Sequence, residues 1–378
     1  MVANRLQGRV TEAEGEYTAS LTVQMVAPDQ AVAKGWDEFV SQHPQGTPYH
    51  RLAWLESVEQ AYGHTCKLLM VFTKGLVLAG VFPLCLVKTP WRKVEITSLP
   101  FCDLGGPLAL DPPTQEALLK AACERMEEWG VSNCEMRMMG EPLDDSYTNE
   151  DHCFAPKVSM LCELPGSSEL LIKSYKPKLR SQIRKAQKNG LTAEVSVSSS
   201  LVDAFYEVFA KNMKRLGSPV HSLAWFRALK ARYGDCMLIG LVWNKQQIVG
   251  AGVVLLNGRR AAIPWASTLL EYNHLAPNML LYWSLLAHVT DNECRWFDFG
   301  RSTFGEGTYR FKKQWGARPY RLNWVQLQRD GKVGAISSVA EPSVVSRKLR
   351  HWIETGWQCL PLFIANWLGP RIRKYITL

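Results

Sequence analysis

The 378-residue chain lacks several patterns that would assign it to a protein class at once. Its ten cysteines are scattered from Cys66 to Cys359 without a C-x-x-C pair, which argues against a zinc ribbon and a small disulfide framework. No run of about 18 uninterrupted apolar residues occurs, so we expect no membrane-spanning helix. Residues 1–20 are polar and have no apolar core, which predicts a disordered N-terminus without a signal peptide. Together these absences favour a reduced cytoplasmic protein that is soluble or peripheral on the inner membrane.

The composition is that of an ordinary globular protein with room for two cores. Hydrophobic residues make up 47% of the chain and charged residues 21%. The net charge of +9 favours polyanionic partners such as nucleic acid, nucleotide diphosphates or an anionic membrane surface. Net charge alone does not choose among them.

A hidden repeat organises the chain. The run TPYHRLAW, which begins at Thr47 and leads to Gly63, returns as SPVHSLAW, which begins at Ser218 and leads to Gly234. Pro, His, Leu, Ala, Trp, Tyr and Gly recur at one constant offset, and each copy is followed by an apolar strand, a polar turn and a second apolar strand. The pattern predicts a tandem duplication of one α/β unit of ordinary domain size. We expect the repeated His and Trp to pack a helix against its sheet rather than to act in catalysis.

The duplication sets the predicted domain boundaries. Residues 21–156 form the first unit, residues 157–335 the second, and residues 336–378 a basic, Trp-rich tail. Within the first unit, helices are expected over 31–43, 48–62 and 115–129. In the second, a helix begins after Pro177, and its Arg180, Arg184 and Lys188 share one face because they lie four residues apart. That basic face predicts either an anion site or a solvated surface.

The segment 295–317 carries the densest chemistry. A short apolar strand over 296–299 is predicted to stop at Gly300, and Arg301, Ser302 and a glycine-containing turn follow. A carboxylate at a strand end, beside glycines and several cations, is typical of a site for a polar, anionic ligand. The alternative is a hairpin whose charges are solvated.

One motif match is misleading. Residues 247–252 fit Q-x-x-G-x-G, the loop with which acyl-CoA-dependent acetyltransferases hold the CoA pyrophosphate through backbone N–H groups. Here the match lies in a predicted strand, and the segment before the helix expected at 277–290 contains no glycine. We therefore expect no standard CoA cradle.

Two motifs resemble a known family. They are K-x-R-x-x-I-R-K-A-x-x-x-G-L at 178–191 and F-D-F-G-R-S…G-T-Y-R-F-K-K-x-W-G-A at 297–317. Over roughly residues 30–335 the chain resembles the FemAB/FemX group, and within it the FemAB-related subgroup associated with PEP-CTERM/exosortase and exopolysaccharide loci. The resemblance implies an α/β fold with mixed sheets, made of two tandem GNAT-like acyltransferase domains. It also implies transfer of an amino acid from aminoacyl-tRNA to an amine of a peptidoglycan precursor, with the acceptor in the first unit or between units.

The resemblance and the chemistry of acyl transfer together nominate site residues. The resemblance places Arg180 and Arg184 at the acceptor's diphosphate and aligns Phe311 and Lys312 with the G-x-Y-x-F-K element. Transfer to an amine needs a neutral amine and positive charge on the developing oxyanion. Lys312 is the expected oxyanion stabiliser, and Asp298 and Glu306 are candidates to accept or orient the amine proton. The remaining expected substrate-binding residues are Arg301, Ser302, Tyr309, Arg310, Phe311, Trp265, Tyr282 and Asn278. No covalent acyl-enzyme, metal or permanently bound cofactor is expected.

The tail interleaves cations with tryptophans over 347–378. That pattern predicts either contact with an anionic membrane surface or packing onto the second unit.

The sequence therefore predicts an N-acyltransferase of the Fem-like type that modifies an amine of a cell-envelope or exopolysaccharide precursor. Its expected partners are an anionic or lipid-diphosphate glycan or peptide acceptor and an acyl donor, either charged tRNA or acyl-CoA. Two alternatives stay open. One is an N-acetyltransferase dependent on acyl-CoA or acyl-carrier protein, and the other is a non-catalytic glycan-diphosphate binding module in polysaccharide export.

Overall fold

The computed structural model describes residues 21–32, 34–89, 94–144, 156–336 and 344–377. The N-terminus predicted to be disordered lies outside these residues. Twelve α-helices are present in the described residues: α1 Pro28–Val32, α2 Trp36–Gln42, α3 Leu52–Tyr62, α4 Pro112–Glu128, α5 Ser168–Ser174, α6 Pro177–Lys188, α7 Leu201–Arg215, α8 Leu223–Tyr233, α9 Pro277–Asp291, α10 Gly307–Lys313, α11 Val344–Cys359 and α12 Leu362–Arg373.

The described strands belong to one mixed sheet. They are β1 Thr22–Val26, β2 Thr65–Phe72, β3 Leu78–Lys88, β4 Val94–Thr97, β5 Leu108–Ala109, β6 Asn133–Pro142, β7 Lys157–Glu163, β8 Leu191–Ser196, β9 Met237–Asn244, β10 Gln247–Asn257, β11 Arg260–Thr268, β12 Trp296–Thr303, β13 Arg318–Gln328 and β14 Val333–Ala335. Their order is β1-β2-β3-β4-β6-β13-β7-β12-β11-β10-β9-β8, with β5 beside β3 and β14 beside β13.

The two halves of the sheet repeat one plan. Antiparallel strands β1, β2, β3 and β4 lead through α4 to β6, and β8, β9, β10 and β11 lead through α9 to β12. In each half the last two of these strands pair in parallel. The repeated segments form α3 and α8, which pack on each other with the rings of Trp54 and Trp225 5.1 Å apart, edge to face. The predicted duplication is therefore confirmed, and because both rings also meet Trp265 of β11, the predicted packing of these tryptophans between helix and sheet is confirmed as well.

The strand that follows each half pairs across the middle of the sheet. β7 follows the first half in sequence but lies beside β12, and β13 follows the second half but lies between β6 and β7. Since each of these strands closes a gap beside the other half, the halves are held together by backbone hydrogen bonds as well as by side-chain packing.

Three local predictions were wrong in detail. The helix expected over 31–43 is two helices, because Gly35 adopts a left-handed conformation (φ 78°) and ends one before the next begins. The helix expected over 48–62 begins as a 3₁₀ turn, Pro48–His50, and becomes α-helical at Leu52. The strand predicted to stop at Gly300 continues through it to Thr303.

Strands β11 and β12 pair only at their first residues and then diverge. Their paired residues run from Arg260↔Trp296 to Ala262↔Asp298. Helix α9 covers the opposite face closely, since a Cβ added at Gly240 would lie 2.8 Å from Leu285. The space opened by the diverging strands is lined by Phe209 and Met213 of α7 and by Tyr49 and Asp103 of the first half.

The tail forms the two helices α11 and α12, which pack on α7. On α12, Ala365 and Gly369 are buried, whereas Phe363 and Trp367 are more than half exposed on the opposite face. A Cβ on Gly369 would meet the backbone N of Val220 at 2.9 Å, so this helix lies in close contact with the second half. The predicted packing of the tail is confirmed; the membrane contact stays a prediction. Among the described helices, none is both long and apolar enough to cross a membrane.

Candidate functional site

A cavity of about 300 Å³ lies where β11 and β12 diverge, between the two halves of the sheet. We call it the central cavity. The first half contributes Tyr49 and Asp103, the second half Trp265, Arg301 and Lys312, and the tail Arg373. Elements distant in sequence thus build one polar pocket with aromatic walls, which is the usual form of a small-molecule site.

Lys312 is fixed at the wall of this cavity. It lies on the short helix α10 and is 9% exposed. Its Nζ donates to the carbonyl oxygens of Gly300 at 3.0 Å and Arg301 at 2.7 Å. Burial lowers the pKa of Lys312 to about 8, although the negative charges of Asp298 and Asp103 act in the opposite direction. The ammonium group has three N–H donors and uses two on these carbonyls, so it is an oriented cation with one donor left.

A bulge in β12 aims the two carbonyls at Lys312. The register against β7 shifts between Asp298 and Arg301, and Gly300 between them has φ 73°. Asp298 Oδ1 accepts hydrogen bonds from the Gly300 N–H at 2.7 Å and from Ser159 Oγ at 2.8 Å. Burial raises the pKa of Asp298 in spite of these bonds. Asp298 therefore supports the bulge and does not line the central cavity.

The carboxylate that lines the cavity is Asp103. Its Oδ2 accepts from the Arg301 N–H at 3.3 Å, and its Oδ1 is 3.4 Å from Arg301 Nε. Trp324 donates its indole N–H to the Asp103 carbonyl at 3.3 Å and lies under the Arg301 guanidinium, 5.1 Å from its ring centre. A signal for Asp103 was present in the sequence, because Asp103-Leu104-Gly105-Gly106 loosely echoes Asp298-Phe299-Gly300-Arg301.

The repeated histidine and the tail close another side of the cavity. Arg373 donates from Nε to His221 Nε2 at 3.1 Å. Because a guanidinium only donates, His221 Nε2 is the unprotonated nitrogen, and Nδ1 carries the proton and donates to Tyr62 Oη at 2.6 Å. Burial first, and Arg373 second, hold the pKa of His221 well below its ordinary value. His221 is thus buried and neutral, and because it also lines the central cavity, its purely structural role stays a prediction.

The end of the tail is clamped to the first half. The Thr377 carbonyl accepts from the Phe101 N–H at 2.6 Å and from the buried guanidinium of Arg137 at 2.8 Å. The Lys374 carbonyl lies 2.8 Å from His64 Nε2. Thr377 occupies the region where β4 and β6 diverge, which corresponds to the position of the central cavity in the other half.

The remaining predicted residues lie in several places. Phe311 and Tyr282 pack together behind the cavity, with ring centres 5.0 Å apart, and Tyr282 stacks on Phe299. Buried Tyr309 packs on Phe304. Asn278 is in the first turn of α9, exposed Glu306 precedes α10, and buried Ser302 has no described partner for its Oγ.

Arg180 and Arg184 lie on α6, whose Leu179, Ile183 and Ala186 face the core. Neither arginine lines the central cavity, and Arg184 is exposed on the outward side of the helix. Arg310 also faces away from the central cavity, into a different one. The structure therefore brings together Lys312, Arg301 and Trp265, with Asp298 directly behind, and leaves the α6 arginines outside.

The Q-x-x-G-x-G match lies within β10, as expected, and does not begin a helix. A Cβ on Gly252 would lie 3.3 Å from Leu285 of α9, so this glycine serves packing between sheet and helix. In the part of the chain that the structure describes, no three His, Cys, Asp or Glu side chains are grouped to hold a metal ion. Chemically, the central cavity offers an oriented ammonium group, a carboxylate and two arginines, a set suited to an anionic or carbonyl-bearing ligand.

Known proteins share features of the sequence and of the fold of this chain. Residues 173–313 match the family model described as acetyltransferase (GNAT) domain. The crystal structure of FemX is similar with a TM-score of 0.63 at 14% identity, covering 88% of this chain and 100% of that chain. The C-terminal domain (DUF2156) of a protein assigned as a lysylphosphatidylglycerol synthetase from Agrobacterium fabrum has a TM-score of 0.50 at 10% identity, covering 85% and 97%.

At these identities the two structures show likeness of fold alone, and no curated protein matches the chain. The predicted fold class is confirmed: the mixed sheet contains GNAT-like halves in tandem. Residues 173–313 are thus similar to the GNAT acetyltransferase domain, and they lie within a larger α/β fold similar to that of FemX.

Proposed function

We propose that the protein is an N-acyltransferase whose transfer step takes place in the central cavity. The observation that carries the proposal is Lys312, a cation held by two backbone carbonyls at the point where β11 and β12 diverge, opposite Asp103. A neutral amine of the acceptor attacks the acyl carbon of an ester or thioester donor. The new C–N bond forms, the C–O or C–S bond breaks, and the amine proton ends on the leaving alcohol or thiol.

Lys312 stabilises the oxyanion that forms during the attack. Its two carbonyl contacts fix the direction of the ammonium group before the ligand binds, so little reorganisation is needed when charge develops. With a pKa of about 8, most Lys312 side chains are protonated at neutral pH, and the group begins to lose its proton about one pH unit higher. Arg301 lies beside it and adds positive potential.

Asp103 orients the attacking amine and accepts its proton. Its carboxylate is at the cavity wall and is held by the backbone and side chain of Arg301. Asp298, the candidate from the sequence, is better assigned as a positioning residue because its Oδ1 accepts two hydrogen bonds that hold the bulge. Glu306 is exposed at the start of α10 and has no such arrangement around it.

For the substrates we propose an amine-bearing envelope or exopolysaccharide precursor as acceptor and aminoacyl-tRNA as donor. The fold likeness to FemX supports this choice, together with the two sequence motifs at 178–191 and 297–317. The same motifs are the basis for assigning the chain to the FemAB-related, PEP-CTERM/exosortase-associated subgroup. An acyl-CoA donor is the second candidate, favoured by the GNAT domain match, although the Q-x-x-G-x-G segment is in a strand.

A binding panel tests the choice of donor. The purified chain is examined by native mass spectrometry and thermal shift with acetyl-CoA, long-chain acyl-CoA, charged tRNA and UDP-sugars. Stabilisation by charged tRNA or a UDP-sugar, but not by CoA species, supports the proposal. A clear shift with an acyl-CoA instead favours the CoA-dependent alternative. A Lys312→Ala variant that binds but does not turn over separates an enzyme from a non-catalytic binding module.

We also propose that the protein works at the inner, anionic face of a membrane through α12. Phe363, Trp367 and Arg371 lie four residues apart on its outer face, and the Arg371 guanidinium is 4.0 Å from the Trp367 ring centre. Interfacial aromatic residues beside cations are typical of helices that lie on anionic lipid. Arg373 lies four residues after buried Gly369, on the inner face of the same helix, and lines the central cavity, so α12 separates the proposed lipid surface from that cavity.

A further inference from the structure

The end of the tail crosses from the second half of the molecule to the first half. Helix α12 packs on α7 of the second half, and the residues after it contact His64, Phe101 and Arg137 of the first half. Between these attachments Arg373 forms part of the wall of the central cavity. We call residues 362–377 the strap, because they close one side of this cavity.

Little apolar packing holds the strap in place. In α12, all of whose residues the structure describes, only the small residues Ala365 and Gly369 are buried, whereas α9 of the same half buries four leucine side chains. Segments with few buried apolar contacts open locally, without unfolding of the whole protein. The strap therefore has the packing expected of an element that can leave its site.

Hydrogen bonds hold the end of the strap, and we call them the latch. The Thr377 carbonyl accepts from the Phe101 N–H at 2.6 Å and from the Arg137 guanidinium at 2.8 Å, and Thr377 Oγ1 accepts from the same guanidinium at 3.0 Å. Arg137 is 1% exposed and donates to Glu135 at 2.7 Å, which fixes its direction. Phe101 has φ 68°, a conformation that is uncommon for a residue with a side chain and is typical of ligand clamps.

Arg373 connects the latch to the cavity wall. Its Nε donates to His221 Nε2 at 3.1 Å, and its guanidinium lies 5.9 Å from the ring centre of Phe101. Because the backbone of Phe101 also donates to Thr377, the latch and the wall share one residue. Release of Thr377 therefore loosens the part of the wall that Arg373 forms, and Cys102 lines the same cavity.

The closed cavity is small for a group-transfer site. Its volume of about 300 Å³ is at the lower end of the range of small-molecule sites, roughly 300–1,000 Å³. Group transfer needs two reactants with their reacting atoms within about 3.5 Å of each other. The cavity therefore has to widen before both can enter, and the strap forms a wall that can move without disturbing the sheet.

We propose that the strap opens and closes the central cavity. In the closed state Thr377 occupies the latch and Arg373 forms part of the wall. In the open state both have left, and the cavity is continuous with solvent beside Cys102. This movement goes beyond the proposed acyl transfer and does not depend on it, since the wall is the same whichever reactant enters.

The thiol of Cys102 reports the opening. Cys102 is 6% exposed and lines the cavity, whereas Cys134 is fully buried in a core cluster of the first half. Burial raises the pKa of both thiols, so both react slowly while they are covered. The whole chain is treated with N-ethylmaleimide under native conditions, and peptide mass spectrometry follows the modification of each thiol separately.

Two variants distinguish local opening from unfolding of the whole protein. Deletion of 375–378 removes the latch, whereas Leu118→Ala removes packing from a core cluster that contains Cys134 and no described residue of the strap. We expect the deletion to speed modification of Cys102 at least about tenfold, the effect of losing one hydrogen bond to a charged group. Leu118→Ala is expected to speed modification of Cys134 but to change that of Cys102 less than about threefold, because the open and closed states of the strap lose the same packing.

Equal acceleration of Cys102 in the two variants would show that the cavity opens only when the protein unfolds, and it would overturn the inference. An unchanged Cys102 rate in the deletion variant would do the same. In the wild type, modification of Cys102 is expected to rise less steeply with urea than modification of Cys134, so the inference also fails if the two slopes are equal. If Cys102 responds as expected while Lys312→Met keeps full transfer activity, the proposed function fails and the strap stands.

Discussion

The buried charge of Lys312 has a measurable thermodynamic consequence. Its pKa is about 8 in the folded chain against an ordinary value of 10.5, because burial disfavours the charged form. Between these two values the unfolded chain holds the proton and the folded chain does not, so the free energy of unfolding rises with pH. The full difference corresponds to about 3 kcal/mol, of which about 2 kcal/mol is gained between pH 7 and pH 9.5.

The Lys312→Met variant removes this dependence while keeping a side chain of similar length. We expect the free energy of unfolding of the wild type to rise relative to the variant by about 2 kcal/mol from pH 7 to pH 9.5. Urea unfolding at several pH values measures it, and subtraction of the two curves cancels the other titrating groups. Lys313→Met is the control, since Lys313 is exposed on the same helix. Parallel curves for wild type and Lys312→Met would refute the reasoning.

Three other perturbations have defined outcomes. Gly300→Ala and Gly305→Ala both place a side chain at positive φ, so each lowers stability by about 1–2 kcal/mol, but only Gly300→Ala disturbs the β12 bulge and lowers the transfer rate. Deleting residues 375–378 removes the two Thr377 oxygen atoms that accept hydrogen bonds from the buried guanidinium of Arg137. The melting temperature is therefore expected to fall by several degrees in a calorimetric scan. The double variant Phe363→Ser/Trp367→Ser is expected to co-sediment less with anionic vesicles. Its melting temperature stays nearly unchanged because both side chains are exposed. Unchanged vesicle binding would contradict the membrane proposal.

Much of the fold could be predicted from the sequence because its signals are local or repeated. The constant offset between the two Trp-containing segments predicts equivalent helices, and they pack as equivalents through Trp54 and Trp225. The apolar strands on either side of short polar turns gave β2, β3, β9 and β10 with small errors at the ends. Helix α6 follows from its spacing and from Gly190 after it.

The position of β13 between β6 and β7, which joins the last long strand of the second unit to the first half, could not be predicted in this way. Strand pairing over more than a hundred residues leaves no local pattern, since an apolar strand can pair equally well with several neighbours. The central cavity was only partly predicted for the same reason. Lys312 and Arg301 stand out in a dense local motif, whereas Asp103 and Arg373 reach the cavity from the first half and from the tail.

Arg180 and Arg184 on α6 show that a clear local pattern in the sequence can still leave the position of a side chain relative to the site unpredicted. Their spacing marks a basic face, and the resemblance suggested a role for Arg180 and Arg184 at a diphosphate. The structure leaves both outside the central cavity, with Arg184 exposed on the outward side of α6 and Arg180 partly buried. A periodic pattern of charge predicts which residues share a face, but it does not say what that face meets.

The most direct test of the central claim is single-turnover transfer with the donor that the binding panel identifies. Wild type, Lys312→Met and Asp103→Asn are compared for the rate of amide formation and for donor affinity. The account predicts that each substitution lowers the rate on the order of 100-fold or more, while donor affinity changes less than about threefold. Transfer at the wild-type rate in both variants would contradict an active site in the central cavity.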